Sequence, residues 1–454
     1  MRLTSDAQLR AAGLAILLLW TVPAVAQPAP AGVWERGNLL GDIGGLRPTL
    51  GRYGASFGLN ETSEVLGNPT GGVKQGVIYE GLTQMSLGID LAKAIGLPGG
   101  IFNASAFQIH GRGLTINNID NLNIVSGIEA DRSTRLYELW YQQSFLAGKV
   151  DIRIGNLAAD EEFIIDPYAT PFLNEGFGWP TLPSVDLPSG GPAYPFGTPG
   201  VRLRALPTAN TTVLLGVFNG DPAGPGVGDP QIRDRSGTNF SLNGGTLVIG
   251  EVQYAVNQGE NAKGLPATYK IGAWYGSNAF TNQLFSDQAI AVAAPNAASP
   301  PMLRGDWSAY ATLDQLVFRP EGAKDAGLGL FVRAMGAPFD RSQVAVYVDG
   351  GLSYKGPFGR DGDTVGVVVE WAKISNASAA ADRVLAASTG GRYPVRTAET
   401  VIELTYQAQV APWWQVQPDF QYVFNPSGGI LNPNGSGRTV RGAAVLGLRT
   451  VVTF

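Results

Sequence analysis

Apolar and polar positions alternate with a period of two along most of the chain, beginning near Ala55. In residues 400–410 the even positions are apolar or neutral, whereas the odd positions include Glu403. The same pattern recurs in residues 343–355 and 413–424. These segments predict strands of about 11 residues, the length that a tilted membrane strand needs, whereas strands of soluble sandwiches are usually shorter. The pattern therefore favours a transmembrane β-barrel.

About 16 strands can be counted in this way, which is an even number, as expected for a bacterial outer-membrane barrel. The segments after even-numbered strands are short, and those after most odd-numbered strands are long. Short periplasmic turns and long external loops give such barrels this asymmetry. We predict an all-β fold, a single antiparallel transmembrane barrel over residues 55–454. The expected strands cover residues 55–66, 77–92, 101–112, 134–146, 149–156, 200–207, 211–219, 246–257, 268–277, 308–318, 327–336, 343–355, 364–374, 398–410, 413–424 and 441–454.

The last strand carries a stripe free of charge on alternate positions from Ala444 to Phe454, with Arg449 on the opposite face. One face is therefore compatible with lipid and the other with water. A closed barrel requires this strand to pair with the first strand. The C-terminus is thus expected to close the barrel.

The N-terminus predicts a secretory signal peptide over residues 1–26, because Arg2 and Arg10 flank an apolar run that ends in Ala24-Val25-Ala26. Residues 27–54 are expected to form a periplasmic segment. Beyond the signal peptide no apolar stretch approaches the roughly 20 residues that a membrane helix needs. The expected location is the outer membrane.

Composition narrows the possible chemistry. The chain has no cysteine, a single histidine (His110) and a net charge of −5. These values argue against disulfides, histidine-based metal clusters, a Ser-His-Asp arrangement and nucleic acid as a partner. We expect no cofactor and no metal, and we expect small solutes and outer-membrane lipid as partners.

A barrel of about 16 strands leaves an aqueous channel, so its polar face needs a role beyond packing. Both signs of charge interleave on that face, which predicts weak ion selectivity and suits neutral polyhydroxy solutes. For each residue the alternative is an ion pair that only stiffens the wall. The candidate pore-lining residues are Glu138, Gln142, Arg153, Arg202, Arg204, Glu251, Glu403 and Trp179.

Trp179 belongs to the longest connection, residues 157–199, which also carries Tyr168, Phe172, Phe177, Tyr194 and Phe196. Connections of this length are usually functional. If this segment enters the lumen, it sets the pore width, and its aromatic rings stack on sugars. Alternatively, those rings form a small core within the loop. The sequence leaves both possibilities open, and it also leaves the path of residues 113–133 open.

Seven segments match the pattern of one known family in the same order: residues 40–47, 136–143, 153–156, 199–204, 216–222, 414–422 and 446–450. Together they resemble the carbohydrate-selective porin family of Gram-negative outer membranes. That resemblance implies a 16-stranded, mainly monomeric channel that passes monosaccharides such as glucose by diffusion, although a trimer is possible. The sequence departs from the family at Ile43, where tryptophan is more usual, and in residues 157–199, so sugar specificity does not carry over.

Three other functions are compatible with the sequence. A general or organic-solute porin would share the barrel. A secreted carbohydrate-binding protein or a hydrolase is less compatible, although Asp160, Glu161 and Glu162 are carboxylates of the kind that glycoside hydrolysis uses. Neighbouring carboxylates at the start of a loop are more often solvated or ion-paired.

Overall fold

A computed structural model describes residues 32–259, 262, 264–285, 301–323, 326–435 and 437–454. The expected signal peptide, residues 1–26, lies outside the described residues. Residues 32–54 pack at the barrel end that carries the C-terminus, where Leu39 N donates to Thr453 O at 2.8 Å, and their periplasmic location stays a prediction. Trp34 also stacks on Trp413, with ring centroids 6.0 Å apart. This segment therefore packs on the barrel end.

The 16 described strands form one closed antiparallel barrel in which every strand pairs with its neighbours in sequence and β1 pairs with β16. The predicted fold class is confirmed. The strands are β1 Ala55–Gly72, β2 Gly76–Asp90, β3 Gly100–Gly111, β4 Ser133–Phe145, β5 Val150–Leu157, β6 Thr198–Thr208, β7 Thr211–Asn219, β8 Thr246–Val256, β9 Ala267–Thr281, β10 Met302–Phe318, β11 Gly327–Gly336, β12 Val344–Lys355, β13 Thr364–Ile374, β14 Ala398–Ala411, β15 Trp414–Phe424 and β16 Arg441–Thr453.

The two strands that close the barrel, β1 and β16, show which side chains face lipid and which face the lumen. Val65 of β1 lies opposite Leu448 of β16, and both side chains are about half exposed on the outer surface. The adjacent pair Glu64 and Arg449 points inward and forms a salt bridge of 2.5 Å. Period two thus separates an apolar outside from a polar lumen.

Helices are few and short, and in the described part of the chain none is long and apolar enough to cross a membrane. They are α1 Leu46–Arg52, α2 Leu91–Ile95, α3 Thr181–Asp186, α4 Pro230–Arg233 and α5 Asn376–Ser388. The sequence predicted only a long connection where α5 lies. Its start is capped by Ser375, whose hydroxyl accepts from Ser378 N at 3.1 Å.

Three strands extend four or more residues beyond their predicted ends. β1 continues to Gly72 through register shifts at Gly67 and Thr70, so only residues 73–75 connect it to β2. β9 and β10 also extend beyond their expected ends, to Thr281 and from Met302. Beyond the predicted ends the alternation of apolar and polar residues is weaker, and the strands continue through irregular backbone pairing.

Candidate functional site

The lumen of the barrel is crossed by the long connection between β5 and β6, residues 158–197. Glu403 of β14 holds one part of this loop, because its carboxylate accepts from Leu173 N at 2.6 Å and Asn174 N at 3.1 Å. Glu251 of β8 holds another part by accepting from Ile164 N at 2.9 Å. Both carboxylates are almost fully buried. The loop is therefore fixed inside the barrel.

The connection between β3 and β4, residues 112–132, also enters the lumen. Glu399 of β14 accepts from Leu122 N at 2.9 Å and from Asn123 N at 2.8 Å. Gln421 of β15 donates to Val125 O at 2.9 Å. Glu399 was absent from the predicted site residues, although it shares the face of Glu403, so the same alternation could have identified it.

Arg333 of β11 is the most enclosed cation of this region. It pairs with Asp349, and its guanidinium lies 3.2 Å from Asp166 of the long loop. It also donates to Gly176 O at 2.6 Å and to Ile164 O at 3.2 Å. A single buried side chain thus joins the wall to two parts of the loop, with its charge compensated.

A second network joins the periplasmic half of β4, β5 and β6. Arg202 pairs with Asp151, lies 2.5 Å from Glu162 and donates to Gln142 Oε1 at 3.0 Å. Arg153 lies 2.6 Å from the same Glu162. The cations of the wall therefore also bind the start of the long loop through Glu162.

The other predicted site residues differ in their partners and in how much of the side chain is exposed. Glu138 accepts from Ala158 N at 3.2 Å and Trp140 Nε1 at 3.1 Å. Arg204 pairs with Asp151 at 2.6 Å but keeps 41% of its side chain exposed. Trp179 is 3% exposed. Thus Arg204 is more open to solute than Glu138 or Trp179, and direct contact of any of these residues with solute stays a prediction.

The aromatic residues of the long loop pack mostly on one another and on the wall. Phe172 lies 5.3 Å from Phe177 and 6.2 Å from Phe331 of β11, between ring centroids. Trp179 donates from Nε1 to Gly190 O at 3.0 Å within the loop. This packing matches the second of the two possibilities, a small core within the loop.

Between the two loops and β16 lies a cavity of about 400 Å³, here called the chamber. Glu161 and Thr170 are its exposed polar side chains, and Arg449 reaches it from the wall. A second cavity of about 540 Å³, the vestibule, lies toward the periplasmic end and shares Thr170 with the chamber. The vestibule is lined by Thr170, Arg319, Ser353, Lys355, Thr364, Gln407, Gln409 and Gln415, among others.

Acidic groups of the loop dominate the chamber. Burial raises the pKa of Glu175 to about 8, while a hydrogen bond from the Ser184 hydroxyl opposes that shift. Burial and the neighbouring charge of Glu161 raise the pKa of Asp160 well above its usual range. Asp160 still accepts from Tyr194 N at 2.8 Å. Near neutral pH the Glu175 carboxyl group is mainly protonated, so it can donate a hydrogen bond as well as accept one.

Comparison with known proteins decides the family. The family described as "Carbohydrate-selective porin, OprB family" matches residues 74–454. The chain belongs to this family. Porin B of Pseudomonas aeruginosa is 25% identical over 411 residues, which cover 86% of this chain and 87% of that protein. The Putative porin QuiX of Acinetobacter baylyi is 25% identical over 426 residues, covering 87% of this chain and 90% of that protein.

The fold agrees with a solved relative. The high-pH structure of Pseudomonas putida OprB superposes with a TM-score of 0.80 at 24% identity, covering 92% of this chain and 99% of that chain. The protein is therefore a carbohydrate-selective porin of the Gram-negative outer membrane, as the sequence predicted. Its lumen, narrowed by two inserted loops, is the channel.

Proposed function

We propose that this porin passes monosaccharide-sized sugars, such as glucose, by passive diffusion through the chamber and then through the vestibule. The observation that carries the proposal is the cavity of about 400 Å³ enclosed by the inserted loops, because its size suits a small polyol. Its exposed Glu161 and Thr170 offer hydrogen bonds in place of lost water. No energy source is needed for this transport.

The acidic balance of the chamber favours neutral sugars over organic acids. Its described lining carries four carboxyl groups, those of Asp160, Glu161, Asp166 and Glu175, and one cation, Arg449. A carboxylate solute would lose its hydration in this narrow passage, and Arg449, the cation of the described lining, is already paired with Glu64. A porin for organic anions is therefore the weaker alternative.

A hydrolase is also a weaker alternative, because the neighbouring carboxylates of the loop have structural partners. Asp160 accepts from Tyr137 Oη at 3.1 Å and from Tyr194 N at 2.8 Å. Glu162 is paired with Arg153 and Arg202. These contacts position the loop, so we assign these groups to the channel and not to catalysis.

The test is swelling of liposomes that contain the purified porin. Glucose should cause rapid swelling, and an organic anion of similar size should cause much slower swelling. If glucose, organic anions and amino acids of similar size enter at equal rates, the protein is a general diffusion pore without selectivity for sugars.

The same assay can be made specific for the chamber. Replacing Glu161 with Ala should reduce the preference for glucose over a size-matched amino acid by about tenfold, the effect expected from losing one hydrogen bond to a charged group. Asp340→Asn serves as a control, because Asp340 pairs with Arg341 in the connection after β11, outside the lumen. An unchanged preference in Glu161→Ala would exclude Glu161 from the sugar path.

A further inference from the structure

A groove lies on the outer face of the barrel, at the end that carries the long connections and therefore faces the cell exterior. Its volume is about 610 Å³. Ile154, Val201 and Val217 oppose one another across β5, β6 and β7 and form its floor together with Leu139 of β4. These side chains lie on the outward face of the strands, so the groove opens toward lipid. It is here called the rim groove.

The connection between β7 and β8, residues 220–245, forms the other side of the rim groove. Phe240 and Leu242 of this connection line the groove and are 48% and 77% exposed. Large apolar side chains with this exposure are unfavourable in water and favourable against hydrocarbon. The connection therefore folds over the outside of the barrel and presents apolar side chains to the membrane.

The rim groove is apolar, and none of the described residues that line it carries a charge. Its two asparagines have partners within the protein. Asn156 donates to Tyr137 O at 2.7 Å. Asn219 donates to Asp221 O at 2.6 Å and accepts from Gly244 N at 2.8 Å. A polar molecule would lose its hydration in the groove without gaining new partners, so the groove suits a hydrocarbon chain.

Exposed arginines lie on the external side of the rim groove. Ser236 O of the same connection accepts from Leu136 N at 2.9 Å. Leu136 precedes Leu139 by three residues on β4, which is about 10 Å farther from the membrane centre along the strand. Arg235, next to Ser236, donates to Arg132 O at 3.0 Å, and both arginine side chains are exposed. Two guanidinium groups are thus available just outside the groove.

The charges around these two arginines leave a positive balance. Asp131 lies close to Arg132, Arg235 and Asp229. Arg233 of the same connection adds a third cation to this group of five residues. A guanidinium group can bind a phosphate through two parallel hydrogen bonds. The group is therefore suited to a phosphate that lies above the apolar groove.

We propose that the rim groove and its arginines bind a lipid of the outer leaflet, namely the phosphorylated, multiply acylated glycolipid that forms the lipid A part of lipopolysaccharide. One acyl chain lies in the groove against Phe240 and Leu242, and a phosphate binds Arg132 and Arg235. The groove lies on the membrane side and the cations lie on the external side, which is the order of acyl chain and phosphate in that leaflet. An inner-leaflet phospholipid has its headgroup at the opposite end of the barrel.

Native mass spectrometry of the purified porin in mild detergent tests the proposal. The lipids added are phosphorylated lipid A, dephosphorylated lipid A and phosphatidylethanolamine. The wild type should bind one molecule of phosphorylated lipid A more tightly than either of the other lipids. Phe240→Ser/Leu242→Ser should weaken this binding by about tenfold, because two apolar contacts with the acyl chain are lost. Arg132→Gln/Arg235→Gln should remove the preference for the phosphorylated form.

Leu284→Ser/Phe285→Ser is the matched control. These two residues are also an exposed leucine and phenylalanine, lie in the connection after β9 and do not line the groove. Val217→Trp fills the groove from the wall and should weaken lipid binding without altering the loop, so it decides if the loop variant does not fold. Equal loss in the control, equal binding of the three lipids, no bound lipid, or a second protein chain bound in place of lipid would overturn the proposal.

Discussion

Buried glutamate side chains on the barrel wall hold the inserted loops by accepting hydrogen bonds from backbone N–H groups. Glu403, Glu251 and Glu399 each accept from main-chain amides of a loop inside the lumen. A buried amide without a partner is costly, so each carboxyl group removes a cost that the loop would otherwise carry inside the barrel. These three side chains therefore determine where the channel is narrow.

Replacing Glu403 with Gln tests this role. The amide side chain keeps the volume but has only one acceptor oxygen, so either Leu173 N or Asn174 N loses its acceptor, and we expect a local loss of about 2 kcal/mol. The loop should loosen, and single-channel conductance should rise and become noisier. Thr400→Val, on the outer face of the same strand, is the control. Unchanged conductance in Glu403→Gln would contradict the role of Glu403 in holding the long loop.

We expect Glu175 to make the ion selectivity of the channel depend on pH. Its pKa is raised to about 8 by burial, so the group is neutral near pH 6 and ionised near pH 9. Ionisation adds negative charge to the chamber, and we expect the preference for cations over anions, measured from reversal potentials, to increase as pH rises through about 8. In Glu175→Gln this increase should disappear. A variant that retains the wild-type pH profile would assign the effect to another group.

The same raised pKa has a consequence for stability. The unfolded chain loses this proton near the ordinary value of 4.5, whereas the folded chain keeps it up to about 8. The folded state therefore binds more protons between these values, and the contribution of Glu175 to stability falls as pH rises through this window. Glu175→Gln should flatten the dependence of the unfolding midpoint on pH in the same range.

At the scale of elements, the long connection is the part of the molecule that turns a wide barrel into a narrow channel. Residues 158–197 contact the inward faces of β8, β11 and β14, which lie two, five and eight strands around the barrel from β6. They also enclose most of the chamber. The barrel strands do not depend on this loop for their backbone pairing.

Replacing residues 162–192 with a short Gly-Ser linker should therefore leave a folded barrel with a wider pore. We expect conductance to increase severalfold and the preference for sugars to disappear, while the circular dichroism spectrum retains its β-sheet character. A matched replacement in the connection after β13, which contains α5, should have a much smaller effect. Retained sugar preference without the long loop would place selectivity in the wall instead.

Strands were predictable from the sequence because their signal is local. An alternation over ten or more residues is sufficient to place β14 or β15 and to determine which side chains face inward. The extension of β1 to Gly72 was not predictable, because it depends on irregular pairing with β16, far away in sequence. Helix α5 was also missed, since its alanine-rich segment was interpreted only as a loop.

The site was predictable only in part, for a related reason. Alternation identified Glu403 and Glu251 as inward-facing, but their partners are backbone amides of a loop whose path the sequence leaves open. The contacts of Glu162 and Arg333 depend on the same path of the loop. The role of each inward residue is decided by tertiary contacts, which alternation does not report.

For the molecule as a whole, the central claim is that neutral sugar occupies the chamber during passage. The lumen narrows from a barrel of 16 strands to a cavity of about 400 Å³, so a bound sugar should exclude ions from the same space. Interference between sugar and ion flow is a property of the assembled channel and not of any single residue.

The most direct measurement is the ion current through single channels in a planar bilayer as glucose is added. We expect a saturable, concentration-dependent partial block that is weakened in Glu161→Ala and unchanged in the control Asp340→Asn. A current that glucose does not reduce, beyond the change in bulk conductivity that an impermeant polyol also causes, would contradict the claim that sugar passes through the chamber.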